Sequence, residues 1–464
     1  MRPSNRLVVV SNRVPPSEAI SPEKSRDMPV GGLVSAVKVA MQERGGLWFG
    51  WSGGSTQRRS SDQPVIKDLG GVKLATIDLS EDEVSLFYTG YANRTLWPLL
   101  HYLPSRVVIR RDLYRAYRRI NRRFAEALCG LLEPGDIVWV HDFHLFHLGQ
   151  ELRRLGWEGK IGFFLHVPFP SADIFSILPW AAETLKSLLS YDLVGVQTER
   201  YLRNLIDSLK MELDGTHADG VFTSEGLSTR LGAYEIGIEP SIFQQAPSDQ
   251  GRSPMDMMSI STAPGHKIIL GVDRLDYTKG IPHRLRALER LLEHHSSLRG
   301  RVTYVQISSP SRTRVPEYIQ EKEQVDRLVG HINGRFSEAG WVPIRYLYRS
   351  FPQHELAELY RDADVGMVTP LRDGMNLVAK EFVAAQRDDP GVLVLSRFSG
   401  AASSLVDAVI VNPYDIEGTA EATYRALRMG LSERKRRCSA MMDAVNKHTA
   451  TSWSDDFTRD LIET

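Results

Sequence analysis

Along this chain, short apolar runs alternate with longer stretches whose hydrophobic positions recur every three to four residues. The first pattern is that of strands buried on both faces, and the second that of amphipathic helices. In the first half, Leu7 to Val10, Gly45 to Gly54, Ile137 to Val140, Lys160 to His166, Asp192 to Gln197 and Gly232 to Ile236 read as strands. In the second half the strands are Lys267 to Val272, Arg301 to Ile307, Arg345 to Tyr348, Val365 to Val368, Gly391 to Leu395 and Ala408 to Val411. Helical spacing runs over Leu33 to about Gln42, Ile281 to about His295, and onward from about Leu377. A helical stretch holding Tyr88 and Trp97 is expected to end near Pro98, where the ring removes a backbone donor. Repeated strand–loop–helix units predict an α/β chain with mainly parallel sheets. The repetition starts twice. Between the two starts, residues 246–265 are poor in large apolar side chains, which places the domain boundary near Glu239 to His266.

Composition narrows the function classes without naming one. A length of 464 residues allows about two to four domains. Equal numbers of basic and acidic residues give zero formal net charge, so no polyanion partner is implied for the chain as a whole. The arginine-rich stretch Arg106 to Arg123 reads as a solvated helix face, in preference to a nucleic-acid patch. No apolar run approaches the length of a membrane-spanning helix. The N-terminal run is too short for a signal sequence, which points to the cytosol. Cys129 and Cys438 lie far apart and are expected to be reduced thiols, neither a disulfide framework nor a metal site.

The chemistry concentrates where strands end. After the Val365 to Val368 strand comes Pro370-Leu371-Arg372-Asp373-Gly374-Met375-Asn376, which feeds the helix beginning near Leu377. The first amides of a helix lack internal partners and carry the positive end of its dipole, so they can receive a phosphate. Asp373 and Glu381 accept hydrogen bonds when ionised, which suits sugar hydroxyls. Together these describe a pocket for a sugar nucleotide. Arg274 and Lys279 flank the loop before the Ile281 helix, where two cations form a diphosphate clamp. Gly31 and Gly32 precede another helix start after the long Val14 to Val30 loop, which is suited to be a mobile lid. No G-x-G-x-x-G follows, which removes a nicotinamide dehydrogenase. His141, His144 and His147 invite a metal reading, but the spacing is not that of ligands on a helix, and no metal is expected. Asp142, just past a strand, is better placed as a hydroxyl acceptor. Trp48 and Trp51 either line a sugar face or fill a core.

The motifs VVVSNRVPP, GGLWFGWSG, WVHDFHL, GFFLHVPFP, VDRLDYTKG and TPLRDGMNLVAKE span nearly the whole chain. On these the sequence resembles the trehalose-6-phosphate synthases, retaining glycosyltransferases of GT-B fold. The resemblance implies two Rossmann-like, doubly wound domains facing across a cleft. The expected division is 1–238 for the acceptor side, 239–445 for the donor side and 446–464 as a helix crossing back to the first domain. It implies transfer of glucose from UDP-glucose, or another nucleoside-diphosphate glucose, to glucose-6-phosphate. A sister enzyme using glycerol-3-phosphate is the alternative. Arg13, Tyr88 and Arg312 match the acceptor's phosphate contacts, and Trp97 and Asp142 match contacts to its sugar. Gly31, Gly32, Phe351, Gly374, Met375, Leu377, Val378 and Glu381 fall on the donor side, Glu381 at the ribose. Arg274, Lys279, His166 and Asp373 match residues around the reacting centre, with Asn376 beside them. The resemblance also implies no metal cofactor, no nucleic-acid or membrane partner, and a cytoplasmic homo-oligomer.

Overall fold

The computed structural model describes residues 6–20, 34, 36–38, 40–41, 45–57, 63–244 and 265–464. The expected lid from 14 to 30 lies outside these beyond Ile20, and so do Gly31 and Gly32. The chain divides into two units. The first holds the described residues up to Ile236 together with Ala450–Thr464, and the second is Gly237–Thr449.

In the first unit the strands are β1 (Leu7–Arg13), β2 (Gly46–Thr56), β3 (Val65–Asp68), β4 (Val72–Ser80), β5 (Ile137–His141), β6 (Ile161–Leu165), β7 (Leu193–Val196), β8 (Gly215–Ala218), β9 (Val221–Ser224) and β10 (Leu227–Ala233). Among the described residues they form one sheet in the order β3-β4-β2-β1-β5-β6-β7-β10-β9-β8. The interior is parallel, and antiparallel pairs close both edges. All residues of β5 and β6 are buried, as strands covered on both faces must be. One face receives the helix Ala450–Glu463. Phe457 lies over the bare backbones of Gly162 and Gly195 and stacks on Trp139 at 4.8 Å. The last residues of the chain thus complete the core of the first unit.

The expected stop near Pro98 falls at Leu100. Residues Val84–Leu96 wind as a helix with i→i+5 bonding, the Trp97 amide donating to Ala92, and the helix continues over Trp97–Leu100. Pro98 sits in the first turn of this last segment, where a missing N–H costs little. Wide helical turns of this kind are frequent at functional sites.

The second unit carries β11 (Lys267–Arg274), β12 (Val302–Ser309), β13 (Ile344–Leu347), β14 (Val365–Val368), β15 (Val392–Ser396) and β16 (Val409–Val411). Their order is β13-β12-β11-β14-β15-β16, with all pairs parallel. Leu285, Leu288, Leu291 and Leu292 of helix Ile281–His294 pack on Ile269, Tyr304 and Val365. Counted along its own chain, this sheet reads 3-2-1-4-5-6, and so does β4-β2-β1-β5-β6-β7 of the first unit. That is the doubly wound order. The strand sequence reverses beside the first strand, and the helices diverge there, leaving a crevice at the strands' C-terminal ends. Among the described residues no helix is long and apolar enough to cross a membrane.

Candidate functional site

In the first unit the reversal falls between β1 and β5. Arg13 ends β1, and Asp142 and His166 follow β5 and β6 directly. The β1 register shifts between Ser11 and Arg13, a bulge that re-aims the arginine at the rim. Its guanidinium lies against Gly53 (φ 87°), where any side chain would displace it. Trp51 pairs with Arg13 across the sheet and packs edge-on to Tyr88 at 5.6 Å. Tyr88 in turn stacks on His144, and His144 on Phe143, which contacts Trp97. The structure therefore brings Arg13, Tyr88, Trp97 and Asp142 to one sheet end. Trp48 is core, fully buried and donating to Ser11 Oγ, so of the two tryptophans only Trp51 approaches the site residues.

Asp142 occupies a backbone region normally left to glycine, at φ 76° and ψ 166°, and its Oδ1 accepts the His166 amide at 3.2 Å. Such a conformation costs roughly 1–3 kcal/mol and persists where surrounding structure enforces it. The three histidines do not converge. His141 faces His166, His144 lies on Tyr88, and His147 packs against Tyr114 and Tyr117. Among the described residues no group of three or more His, Cys, Asp or Glu side chains is arranged to hold a metal ion.

His141 is a site residue that the sequence does not single out. Its Nδ1 lies 3.0 Å from His166 Nε2, and its Nε2 is buried without a hydrogen-bond partner among the described residues. Burial pushes His141 well below the usual histidine range and His166 down to about 3, so both rings are neutral. A buried N–H without an acceptor is rarer than a buried lone pair without a donor. The network therefore assigns the His141 proton to Nδ1, donating to His166 Nε2, and the His166 proton to Nδ1. Trp453 packs edge-on to His166 at 5.8 Å and holds the ring.

In the second unit the reversal lies between β11 and β14. Arg274 ends β11, Arg312 and Phe351 follow β12 and β13, and the Asp373 loop follows β14. Lys279 pairs with Asp373 Oδ2, which also accepts from Asn376 Nδ2 at 3.0 Å. The Leu371 amide donates to Thr278, tying the cationic loop to the helix start. Asn376, at φ 79°, caps helix Leu377–Ala385, so the left-handed residue of this turn is an asparagine. Behind it, Gly400 packs against the Gly374 carbonyl, where a Cβ would collide, and Ser399 Oγ donates to Met375. Leu377 and Val378 are half-buried at the helix start, and Phe351 is buried under the Arg349 guanidinium.

Asp276, also missed from sequence, organises the cations. Burial alone would push its carboxyl up. Arg312, Arg274, Lys279 and the Thr278 amide outweigh that and hold it at about 2. It accepts from Arg312 at 2.9 Å and from the Tyr318 hydroxyl at 2.8 Å, and Arg312 itself sits at φ 47°. Arg284 is a second such residue, fully buried and bonded to Asp273, Gln306 and Thr369 beneath the loop. Glu381 lies one turn into its helix with the Tyr360 hydroxyl at 3.0 Å. Burial pushes its carboxyl up to about 7, with Tyr360 opposing.

A cationic loop and a helix start at the reversal of a parallel sheet suit a nucleotide diphosphate, and comparison with known proteins agrees. The model of glycosyltransferase family 20 matches residues 5–463. The chain belongs to glycosyltransferase family 20. A trehalose-6-phosphate synthase of Sinorhizobium fredii is 44% identical over 460 residues, covering 98% of each chain. The crystal structure of a UDP-forming alpha,alpha-trehalose-phosphate synthase from Burkholderia xenovorans, in complex with glucose-6-phosphate, is 42% identical. It covers 98% of this chain and 100% of its own, with a TM-score of 0.92. An Escherichia coli relative bound with UDP-2-fluoro glucose is 40% identical over 98% of this chain and 99% of its own, with a TM-score of 0.91. This family 20 member is thus a glycosyltransferase with the two-domain GT-B fold.

Proposed function

We propose that this chain transfers glucose from UDP-glucose, or a related nucleoside-diphosphate glucose, to glucose-6-phosphate, giving α,α-trehalose 6-phosphate with retention. The observation that carries the reading is the second unit's reversal point, where Arg274, Lys279, Asp373 and the Leu377 helix start share one loop system. Breaking the glycosidic bond to the nucleotide builds negative charge on the departing diphosphate. Arg274, Lys279 and the helix-start amides stabilise it in a site where fixed donors need no reorganisation. The Lys279–Asp373 pair holds the lysine in place and would be shared with the incoming phosphate and sugar. Asp373 and Asn376 bind glucose hydroxyls, Glu381 binds the ribose, and Gly31 and Gly32 supply amides to the distal phosphate.

In the first unit Arg13 and Tyr88 take the acceptor's phosphate, and the family resemblance adds Arg312 to that set. Trp97 supports its ring and Asp142 accepts from its hydroxyls. The Nδ1–H of His166 donates to the transferred glucose. The leaving phosphate takes the proton of the attacking hydroxyl, so the reading requires neither a carboxylate nucleophile nor a divalent metal. Charged sugar phosphates and nucleotide sugars do not cross membranes, which supports a cytoplasmic enzyme. The family resemblance supports a homo-oligomer.

The test is a matrix of UDP-, ADP- and GDP-glucose against glucose-6-phosphate and glycerol-3-phosphate, with and without a chelator. Expected is nucleoside diphosphate release matched by a non-reducing disaccharide phosphate with glucose-6-phosphate alone, unaffected by chelation. Turnover with glycerol-3-phosphate and none with glucose-6-phosphate would overturn the reading.

A further inference from the structure

The structure assigns a second anion site to the outer face of helix Arg111–Cys129. Leu113, Tyr117, Ile120 and Phe124 turn inward and are buried. Arg111, Arg115, Arg118, Arg119 and Arg122 share the opposite face at spacings of three and four, where like charges repel. A cavity of about 420 Å³ opens there, lined by Tyr114, Arg115, Arg118, Arg119 and Arg122. Its size is within the range of small-ligand sites.

The local charge is unbalanced. Glu151 is buried and takes Arg118, Arg122 and Arg154, at 3.7, 3.3 and 3.0 Å. Glu183 takes Arg118 at 3.5 Å and the Tyr114 hydroxyl at 2.6 Å. Arg115 and Arg119 are exposed and join no ion pair among the described residues. Around the cavity four guanidiniums, of Arg115, Arg118, Arg119 and Arg122, meet the carboxylates of Glu151 and Glu183, with exposed Glu126 one turn beyond Arg122. Asp112 at the helix start is engaged by Arg110. Tyr114 stacks face to face on Trp180 at 4.4 Å, giving the groove a rigid aromatic floor.

Planar guanidiniums around one small cavity are built for the multiple oxygens of a phosphoryl group. The ligand class is a small phosphorylated anion, a phosphate ester or diphosphate. Resting on the proposed function, substrates and products of that chemistry surround the enzyme continuously.

Pyrophosphate is the probe, titrated calorimetrically into the full chain at low salt. Wild type is expected to show a class of site at the groove besides those at the Arg274 clamp and at the acceptor's phosphate residues. R115E/R119E should lose the groove class, weakened about tenfold or more, with turnover and both KM values within twofold of wild type. R274A should lose the clamp class and keep the groove, so failure of the groove and failure of the proposed function are distinguishable. The milder R115Q/R119Q, checked for an unchanged unfolding midpoint, guards against a folding defect. Superimposable isotherms for wild type and R115E/R119E would overturn the assignment. So would loss of self-association in the same variant, or an oligonucleotide bound by wild type and lost in R115E/R119E while pyrophosphate binding is unchanged.

Discussion

With Glu381 at the ribose, as proposed above, nucleotide binding would depend on pH. Its carboxyl is pushed up from 4.5 to about 7 because burial disfavours the charge, with the Tyr360 hydroxyl alone opposing. That difference corresponds to about 3 kcal/mol at about 1.4 kcal/mol per unit, an upper figure because the residue keeps partial contact with solvent. A carboxyl with a higher pKa folded than unfolded binds its proton more tightly in the folded state. Its contribution is therefore present in full below about pH 4.5 and is lost as the pH rises through about 7. Glu381→Gln has nearly the same shape and no charge. Above pH 7 the variant should unfold at higher denaturant than wild type, by up to about 3 kcal/mol, and the two should converge near pH 4.5. If ribose hydroxyls donate to the ionised carboxylate, UDP binding must lower the pKa and expel a proton. At pH 7 about half a proton per site should be released. Calorimetry of UDP binding in two buffers of different ionisation enthalpy reads that number, and subtracting the Glu381→Gln value removes protons lost by UDP itself. A variant less stable than wild type at pH 8, or one releasing as many protons, would refute the reasoning.

Two further outcomes follow from the site geometry. His141→Phe removes the donor that fixes the His166 ring, so turnover should fall about 10- to 100-fold with little change in KM for glucose-6-phosphate. His141→Asn, which keeps an amide donor, should recover part of it, and unchanged turnover in His141→Phe would dismiss the positioning role. Arg13 is exposed at a strand end, whereas Arg312 offsets the burial of Asp276. Arg13→Ala should therefore raise the acceptor KM and leave the unfolding midpoint in place. Arg312→Ala should also destabilise by about 3–5 kcal/mol, and equal stability of the two variants by denaturant titration would contradict this.

The central strands are legible because full burial forces apolar runs, as in Ile137–His141 and Val365–Val368. The edges are not. All four residues of Val65–Asp68 are exposed, and the hairpin Gly215–Ala218 and Val221–Ser224 has no apolar alternation for a reader to find. Arg274, Lys279 and Asp373 stand out because cations and a carboxylate next to a strand end have few structural uses. Arg284 does carry a signal in the sequence, a charged residue on the apolar face of its helix.

The sequence by itself determined the alternation of strands and helices, the two starts and the polar loops at strand ends. These depend on neighbours three or four residues away, within reach of a local pattern. Only the tertiary structure decided that Asp276 gathers Arg312 across 36 positions, that His141 meets His166 across 25, and that Arg284 reaches Thr369 across 85. The family resemblance already implies the last helix in the first unit, but its packing of Phe457 on Gly162, Gly195 and Trp139 was decided by the fold. Those partners are chosen by sheet order and burial, and a chain read residue by residue carries no measure of either.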